Sequence, residues 1–228
     1  MDNRETIIIS LGGSLIIPDN IAVEFLKDFI SLIKDYIKKD FHFVIITGGG
    51  KICRVYNKAL GEIISPTTEE LDWLGIATTK LNAELIRISF GDLANEEVLK
   101  DPNLITKTHK SVIVGGGWRP GCSSDNDAVI IAEKLGAKKV INLSNIDYVY
   151  DKDPRQNPDA KPLKEVSWEE FRSILPKEWV PGLNSPFDPT AAVHAERLGL
   201  HVVVMNGKNI ENLKNYLDGK EFIGTVIK

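Results

Sequence analysis

Short runs of β-branched and aliphatic residues, each ending in Gly, Ser, Asn or Asp, alternate along this chain with longer stretches whose apolar positions recur at helical spacing. The short runs at residues 6–11, 42–47, 112–114, 139–143 and 201–205 read as buried parallel strands. The longer stretches read as amphipathic helices. Residues 21–38 carry Phe25, Phe29, Leu32, Ile33 and Tyr36 at helical spacing, and a second helix is expected over 51–63. Thr67 and Glu70 form a capping box. They open a long helix reaching Ile88, expected to hold Leu71, Leu74, Leu81, Leu85 and Ile88 on one face.

Further along, Asp125 or Ser124 is expected to cap a helix over 125–135, and Ser167 with Glu170 one that ends near Leu175. Asp188 followed by Pro189 opens a helix to Leu198, and another is expected over 209–217. Residues 152–164, with Pro154, Pro158 and Pro162, read as loop, and 225–227 as an edge strand. Repeated β-α alternation predicts a three-layer α/β/α sandwich whose mainly parallel sheet is covered on both faces. Ligands in such folds sit at the carboxyl ends of the strands.

Four segments place small or polar residues at those ends: IIISLGGS (7–14), FVIITGGGK (43–51), VIVGGGWRPGCSSD (112–125) and VINLSNIDYVYDKD (140–153). Glycine lets backbone N–H groups approach a ligand, and unpaired N–H groups at helix starts attract anions. Several such turns along one sheet edge suit one or two ligands rich in phosphate.

Length and charge narrow the field. A chain of 228 residues holds one large α/β domain or two small ones. A formal net charge of −4, from 28 basic and 32 acidic side chains, argues against nucleic acid or an anionic membrane as the main partner. Lys34, Lys38 and Lys39 read as a solvated helix face. The opening MDNRETIII lacks the basic and apolar regions of an export signal, and no stretch has membrane-spanning length, so a cytoplasmic location is expected. Cys53 and Cys122 form no metal-ligand spacing and read as free thiols, each within a Gly-rich segment.

The chain lacks GxxxxGK[ST], GxGxxG, HExxH, GxSxG and HRD. His42, His109, His194 and His201 are scattered outside the Gly-rich turns. Anion-binding turns without an evident nucleophile or general base fit phosphoryl transfer to an acceptor that is already an anion. Such an acceptor needs no deprotonation, so catalysis reduces to positioning and charge neutralisation.

The ordered set SLGGS, GGGKxxR, DxxGIxxTxLNA, GGxxPGxxSD and SNIDxVYxxDP resembles the amino acid kinase superfamily, and within it the archaeal-type UMP kinases. The resemblance runs from Ile7 to Thr225. It implies a single amino acid kinase-like domain over 1–228, with an acceptor-binding half at 1–135 and an ATP-binding half at 136–228. It also implies ATP and UMP as substrates, Mg2+ accompanying ATP, and a homo-oligomer, a hexamer in such kinases. No protein metal ligand is assigned.

By the same resemblance Gly12, Gly13 and Ser14 contact the ATP phosphates, Gly49 contacts UMP, and Gly50 and Arg54 contact the transferring phosphate. Lys51 is the local cation, and Asp72 accepts hydrogen bonds from the UMP ribose. Trp118, Arg119, Pro120, Gly121, Cys122, Ser123 and Ser124 form the loop around UMP. Ser144, Asn145, Tyr150 and Asp153 form the adenosine pocket. Asp125 caps a helix, and Asp188 is structural. Asp147 either orients groups around the phosphates or ties down its own turn. Gly48–Gly50, Asp72 and Tyr150 also have plain readings as a tight turn, a surface carboxylate and a packing residue.

The chain departs from the superfamily pattern in several places. Ser10 stands where many members have a catalytic Lys, Trp118 where the family has Thr, and Cys122 where it has His or Phe. Lys80 and Tyr148 replace an Arg and a Gly. A large aromatic face at Trp118 could stack on a base. The changes near the acceptor loop leave open a different small phosphorylated or carboxylated acceptor, or a nucleotide-binding protein without transfer chemistry.

Overall fold

The computed structural model describes residues 5–106, 108–175 and 185–228. The first four residues, on which the export-signal reading partly rests, lie outside the described residues. Strand β1 (Thr6–Leu11) lies at the centre of the sheet, paired in parallel with β2 (His42–Thr47) and with β4 (Lys139–Ser144). Strand β3 (Val112–Gly115) extends the sheet beyond β2, and β8 (His201–Asn206) extends it beyond β4, again in parallel. The sheet is completed by β9 (Thr225–Ile227), antiparallel to β8, and by β7 (Glu165–Val166). The 225–227 segment is therefore not the edge strand expected from sequence, because β7 pairs on its outer side. Within the expected 152–164 loop, β6 (Pro162–Leu163) pairs with β5 (Val149–Tyr150).

Strand alternation divides the core into two layers. Ile9, Leu11, Phe43, Ile45, Ile141, Leu143, Val203 and Met205 face one side. There they meet α1 (Gly13–Ile16), α2 (Val23–Ile37), α4 (Thr68–Phe90) and α8 (Ile210–Leu217). Ile8, Val44, Ile46, Val140, Val202 and Val204 face the other side. They meet α5 (Ser124–Leu135), α6 (Trp168–Ile174) and α7 (Pro189–Arg197). Full burial of each large aliphatic side chain contributes ~1.5–3 kcal/mol, so these layers dominate stability. Phe29, fully buried on α2, is a position where truncation to Ala costs ~3–5 kcal/mol.

Two helices differ from their sequence pattern. In α4 the buried apolar positions are Ile76, Ala83, Ile86 and Phe90, whereas Leu81 and Ile88 are 59% and 62% exposed. The helix carries two apolar stripes at helical spacing, and the core packs against the one that includes Ala83, Ile86 and Phe90. In α5 the cap is Ser123, whose hydroxyl accepts from the Asn126 N–H; Asp125 lies inside the first turn. The capping box at Thr67 and Glu70 is complete in both directions.

Candidate active site

The turns after β1, β2, β3 and β4 meet at the carboxyl end of the sheet. The first two are in contact through backbone alone. A Cβ on Gly13 would stand 2.0 Å from the Gly50 nitrogen and 2.6 Å from the Gly48 carbonyl carbon, and one on Gly12 would stand 2.7 Å from the Leu143 oxygen. Gly50 also adopts a φ of 67°, a left-handed conformation that disfavours side chains. These glycines are required first for the approach of one turn to the other. Asn82, buried on α4, holds the second turn by donating to the Gly48 carbonyl at 2.8 Å and to that of Gly49 at 3.2 Å.

Helix α3 (Gly50–Ile63) leaves this turn directly. Lys51 pairs with Asp19, a residue the sequence reading did not single out, and its N–H donates to the Ile17 carbonyl. Arg54, exposed in the second turn of α3, adds to the positive field on Asp19. The Lys51 bond holds the Asp19 carboxyl below the usual carboxylate range, with Arg54 the smaller contributor. Both cations therefore lie beside the glycine turns, and one already carries an acidic partner.

The third loop is tied down from two elements, α4 and α5. The Gly117 N–H donates to the Thr79 hydroxyl at 2.7 Å, and the Gly121 N–H to Asp72 at 2.9 Å, both from α4. The Trp118 N–H donates to Asp127 Oδ2 at 3.1 Å, and the Cys122 thiol to Asp127 Oδ1 at 3.0 Å. Burial, then the Asp127 charge, pushes the Cys122 thiol up, so it remains a protonated donor rather than a nucleophile. Arg119 places its guanidinium 4.1 Å from the centre of the Trp118 ring, covering one face of the indole. Asp72 and the 117–122 loop thus form one bonded unit, and partial burial raises the Asp72 carboxyl.

Behind the first and third turns lies a polar cluster that the sequence reading had reduced to a helix cap. Ser10 and Asn142 are direct neighbours on β1 and β4, and both donate to Asp125 Oδ1, at 2.7 and 3.0 Å. The Asp188 N–H donates to Asp125 Oδ2 at 3.1 Å, while Asp188 itself caps α7 by accepting from Ala191. Desolvation pushes Asp125 up to about 6, with the Asp188 charge adding to the rise and the Ser10 bond opposing it. The signal for this cluster was present in the sequence as polar Asn142 within an otherwise apolar strand.

On the other side, Ser144 accepts from the Ile146 N–H at 3.3 Å, and Asn145 and Asp147 are exposed. Asp147 accepts from Asn206 at 2.9 Å, which joins the ends of β4 and β8. The sequence reading did not single out Asn206, although Gly207 directly follows it at the end of β8. Tyr150 lies on β5, half-buried. Asp153 accepts from the Arg155 backbone and guanidinium and from Gln156, closing a surface turn, and the Arg155 bonds lower its pKa. A cavity of about 730 Å³ lies at the opposite end of the sheet, lined by Glu5, His42, Lys139 and Phe222 among others, and includes none of the turn residues.

A mainly parallel sheet between two helical layers, with several small-residue turns converging at one strand end and cations beside them, defines an α/β enzyme built around phosphate groups. The model of the amino acid kinase family matches residues 5–206, and the chain belongs to that family. Among its relatives is a uridylate kinase of Methanobrevibacter smithii, 32% identical over 225 residues, covering 97% of this chain and 98% of the relative. Another, of Methanospirillum hungatei, is 33% identical over 225 residues, covering 97% and 94%. The crystal structure of uridylate kinase from Archaeoglobus fulgidus matches with a TM-score of 0.80 at 29% identity, covering 98% of this chain and 100% of the other. UMP kinase from Ureaplasma parvum shares the fold, with a TM-score of 0.75 at 20% identity over 99% of each chain.

Proposed function

We propose that this chain transfers the γ-phosphoryl group of ATP to UMP, releasing ADP and UDP, as a step in pyrimidine nucleotide synthesis in the cytoplasm. The observation that supports this reading is the bonded unit of Asp72 with the 117–122 loop, in which the Asp72 carboxylate is suited to accept hydrogen bonds from ribose hydroxyls. An oxygen of the UMP phosphate attacks the γ-phosphorus, and the bond to the β–γ bridging oxygen breaks. No base is needed, because the acceptor is already an anion.

Gly12, Gly13, Ser14 and Gly50 line the phosphate path, and Arg54 and Lys51 stabilise the spreading negative charge. Gly49, Asp72 and Trp118 through Ser124 hold UMP. Ser144, Asn145, Tyr150 and Asp153 hold the adenosine side, although Asp153 must reach it from its own surface turn. These roles divide one domain into an acceptor half over 1–135 and an ATP half over 136–228. Magnesium (Mg2+) would enter with ATP, whose phosphates supply most of its oxygens. Among the described residues no group of three acidic, His or Cys side chains forms a cage for it. Asp147, exposed and held by Asn206, is the carboxylate suited to its water shell.

An oligomer is supported by the apolar residues that α3 and α4 leave exposed. Helix α3 buries none of its residues fully, and Val55, Tyr56, Ile63, Trp73, Leu81 and Ile88 on the two helices are exposed. Apolar exposure of this kind is usually covered by a partner subunit. Light scattering that returned a monomer at micromolar concentration would overturn this part. Among the described residues no helix is long and apolar enough to cross a membrane.

The test of the activity is ADP release, coupled to a reporter, with UMP, CMP, dTMP and acetylglutamate. UMP is expected to give the highest kcat/KM. Another acceptor ahead by tenfold would redirect the assignment to that acceptor, and ATP binding without any turnover would make the chain a nucleotide-binding protein.

A further inference from the structure

Asp127 is 1% exposed, sits one turn into α5, and has no part in the phosphate chemistry described above. A buried carboxylate in the apolar face of a helix costs several kcal/mol unless its oxygens are bonded. Here both are, and both partners belong to one loop: the Trp118 N–H at its start and the Cys122 thiol near its end. Asn126, next on the helix, donates to the same sulfur at 3.2 Å and contacts His194 on α7. The loop between them, Arg119 to Gly121, closes on itself through the Cys122 N–H donating to the Arg119 carbonyl, at 3.2 Å.

We propose that Asp127 is a positioning residue that staples the two ends of the 118–122 loop to α5 and so sets the affinity of the site for its acceptor nucleotide. This rests on the uridylate kinase reading for the identity of the acceptor, but not for the staple itself. The two loop bonds come from backbone and thiol donors that carry no base preference, so the effect falls on loop placement. Among the described residues no other side chain bonds both ends of the loop. Thr79 and Asp72 hold Gly117 and Gly121, one contact each, from the opposite side. Removing Asp127 therefore frees one wall of the loop while α4 still holds the other.

The charged and titratable groups facing Asp127 are Cys122 from the loop, Asp101 from the turn preceding the Pro102–Leu104 helix, and Asp125 from its own helix. Burial, reinforced by the two acidic neighbours, pushes the Asp127 carboxyl up to about 7, which the two loop bonds oppose. Two acidic neighbours and, among the described residues, no paired cation mark a carboxylate kept for its acceptor geometry rather than for an ion pair.

The experiment compares wild type with Asp127→Ala and Asp127→Asn by steady-state kinetics in both substrates and by hydrogen–deuterium exchange. Asn retains an oxygen for the Trp118 N–H. The expected result for Asp127→Ala is a KM for UMP raised tenfold or more, a KM for ATP and a kcat changed less than threefold, and faster exchange confined to 117–122. Asp127→Asn should return the KM to within threefold of wild type. Equal rises in both KM values with a fallen melting temperature, or an unchanged KM for UMP, would overturn the proposal. Should Asp127→Ala not fold, a Cys122→Ala variant that keeps wild-type KM for UMP and wild-type exchange over 117–122 overturns it as well. A wild type inert toward UMP fails the uridylate kinase reading instead. The same KM split is then read on whichever acceptor of the panel turns over, and exchange at 117–122 decides if none does.

Discussion

The 117–122 loop, proposed to take the acceptor, and the 144–153 segment, proposed to take ATP, stand at the same end of one sheet, yet they are held in different ways. In the acceptor loop, Gly117, Trp118, Gly121 and Cys122 each donate to a side chain on α4 or α5, and two of those donors meet a single buried carboxylate. In the nucleotide segment, among the described residues, the Asp153 carboxylate bonds only to residues 155 and 156 and the Ser144 hydroxyl to Ile146; the long-range ties are Asn206 to Asp147, the Gly207 N–H to the Ser144 carbonyl and the Val149 N–H to the Thr225 hydroxyl. Long-range bonds from buried groups resist local opening, whereas short-range surface bonds open with little cost. The acceptor side is therefore pre-shaped, and the nucleotide side can adjust to its ligand.

The largest expected effect belongs to the residue between the two regions. Arg54→Ala should lower kcat by about 30- to 1000-fold, the equivalent of ~2–4 kcal/mol, with circular dichroism and melting temperature unchanged. A fall below threefold would remove Arg54 from the transition state and leave it a surface cation. The next pair separates the sides directly. Asp72→Ala should raise the KM for UMP about tenfold and leave that for ATP within twofold, since it loses both a ribose contact and the Gly121 bond. Asp147→Ala should do the reverse, raising the KM for ATP several-fold. Both variants affecting both substrates alike would erase the distinction between the regions.

The smallest effect concerns pH. Asp125 and Asp127, with folded values near 6 and 7, hold protons that the unfolded chain releases near 4. A raised carboxyl contributes stability that is full below the unfolded value and lost as pH rises through the folded one. Melting temperature should thus be higher at pH 5 than at pH 8, and each Asn variant should flatten its share. A flat wild-type profile would mean that both carboxylates are solvated and that the acceptor side is less rigid than described.

Much of this could be read from residues in order. Strand alternation, the capping box at Thr67 and the four converging turns were visible because each depends on neighbours within a few positions. What stayed hidden depended on distance. Asp125 looked like a cap until Ser10 and Asn142, 115 and 17 residues away in sequence, were seen to share its oxygen. Asp127 carries no local motif, and its partners lie across a loop. The buried stripe of α4 was misjudged because period alone cannot say which of two apolar stripes meets the sheet. Sequence showed the family's small residues at the turns, but the reason for Gly13 and Gly48 lay in the opposing backbone.

That last contact has an evolutionary consequence. Where two side chains crowd each other, a larger one can be tolerated once its neighbour shrinks, and lineages drift by such paired exchanges. A Cβ on Gly13 would meet the nitrogen of Gly50 at 2.0 Å and the carbonyl carbon of Gly48 at 2.6 Å, and main-chain atoms have nothing smaller to become. No second mutation can make room there. These positions should be closed to drift even in descendants that change acceptor or lose transfer altogether, so their glycines record how the chain folds rather than which substrate it uses.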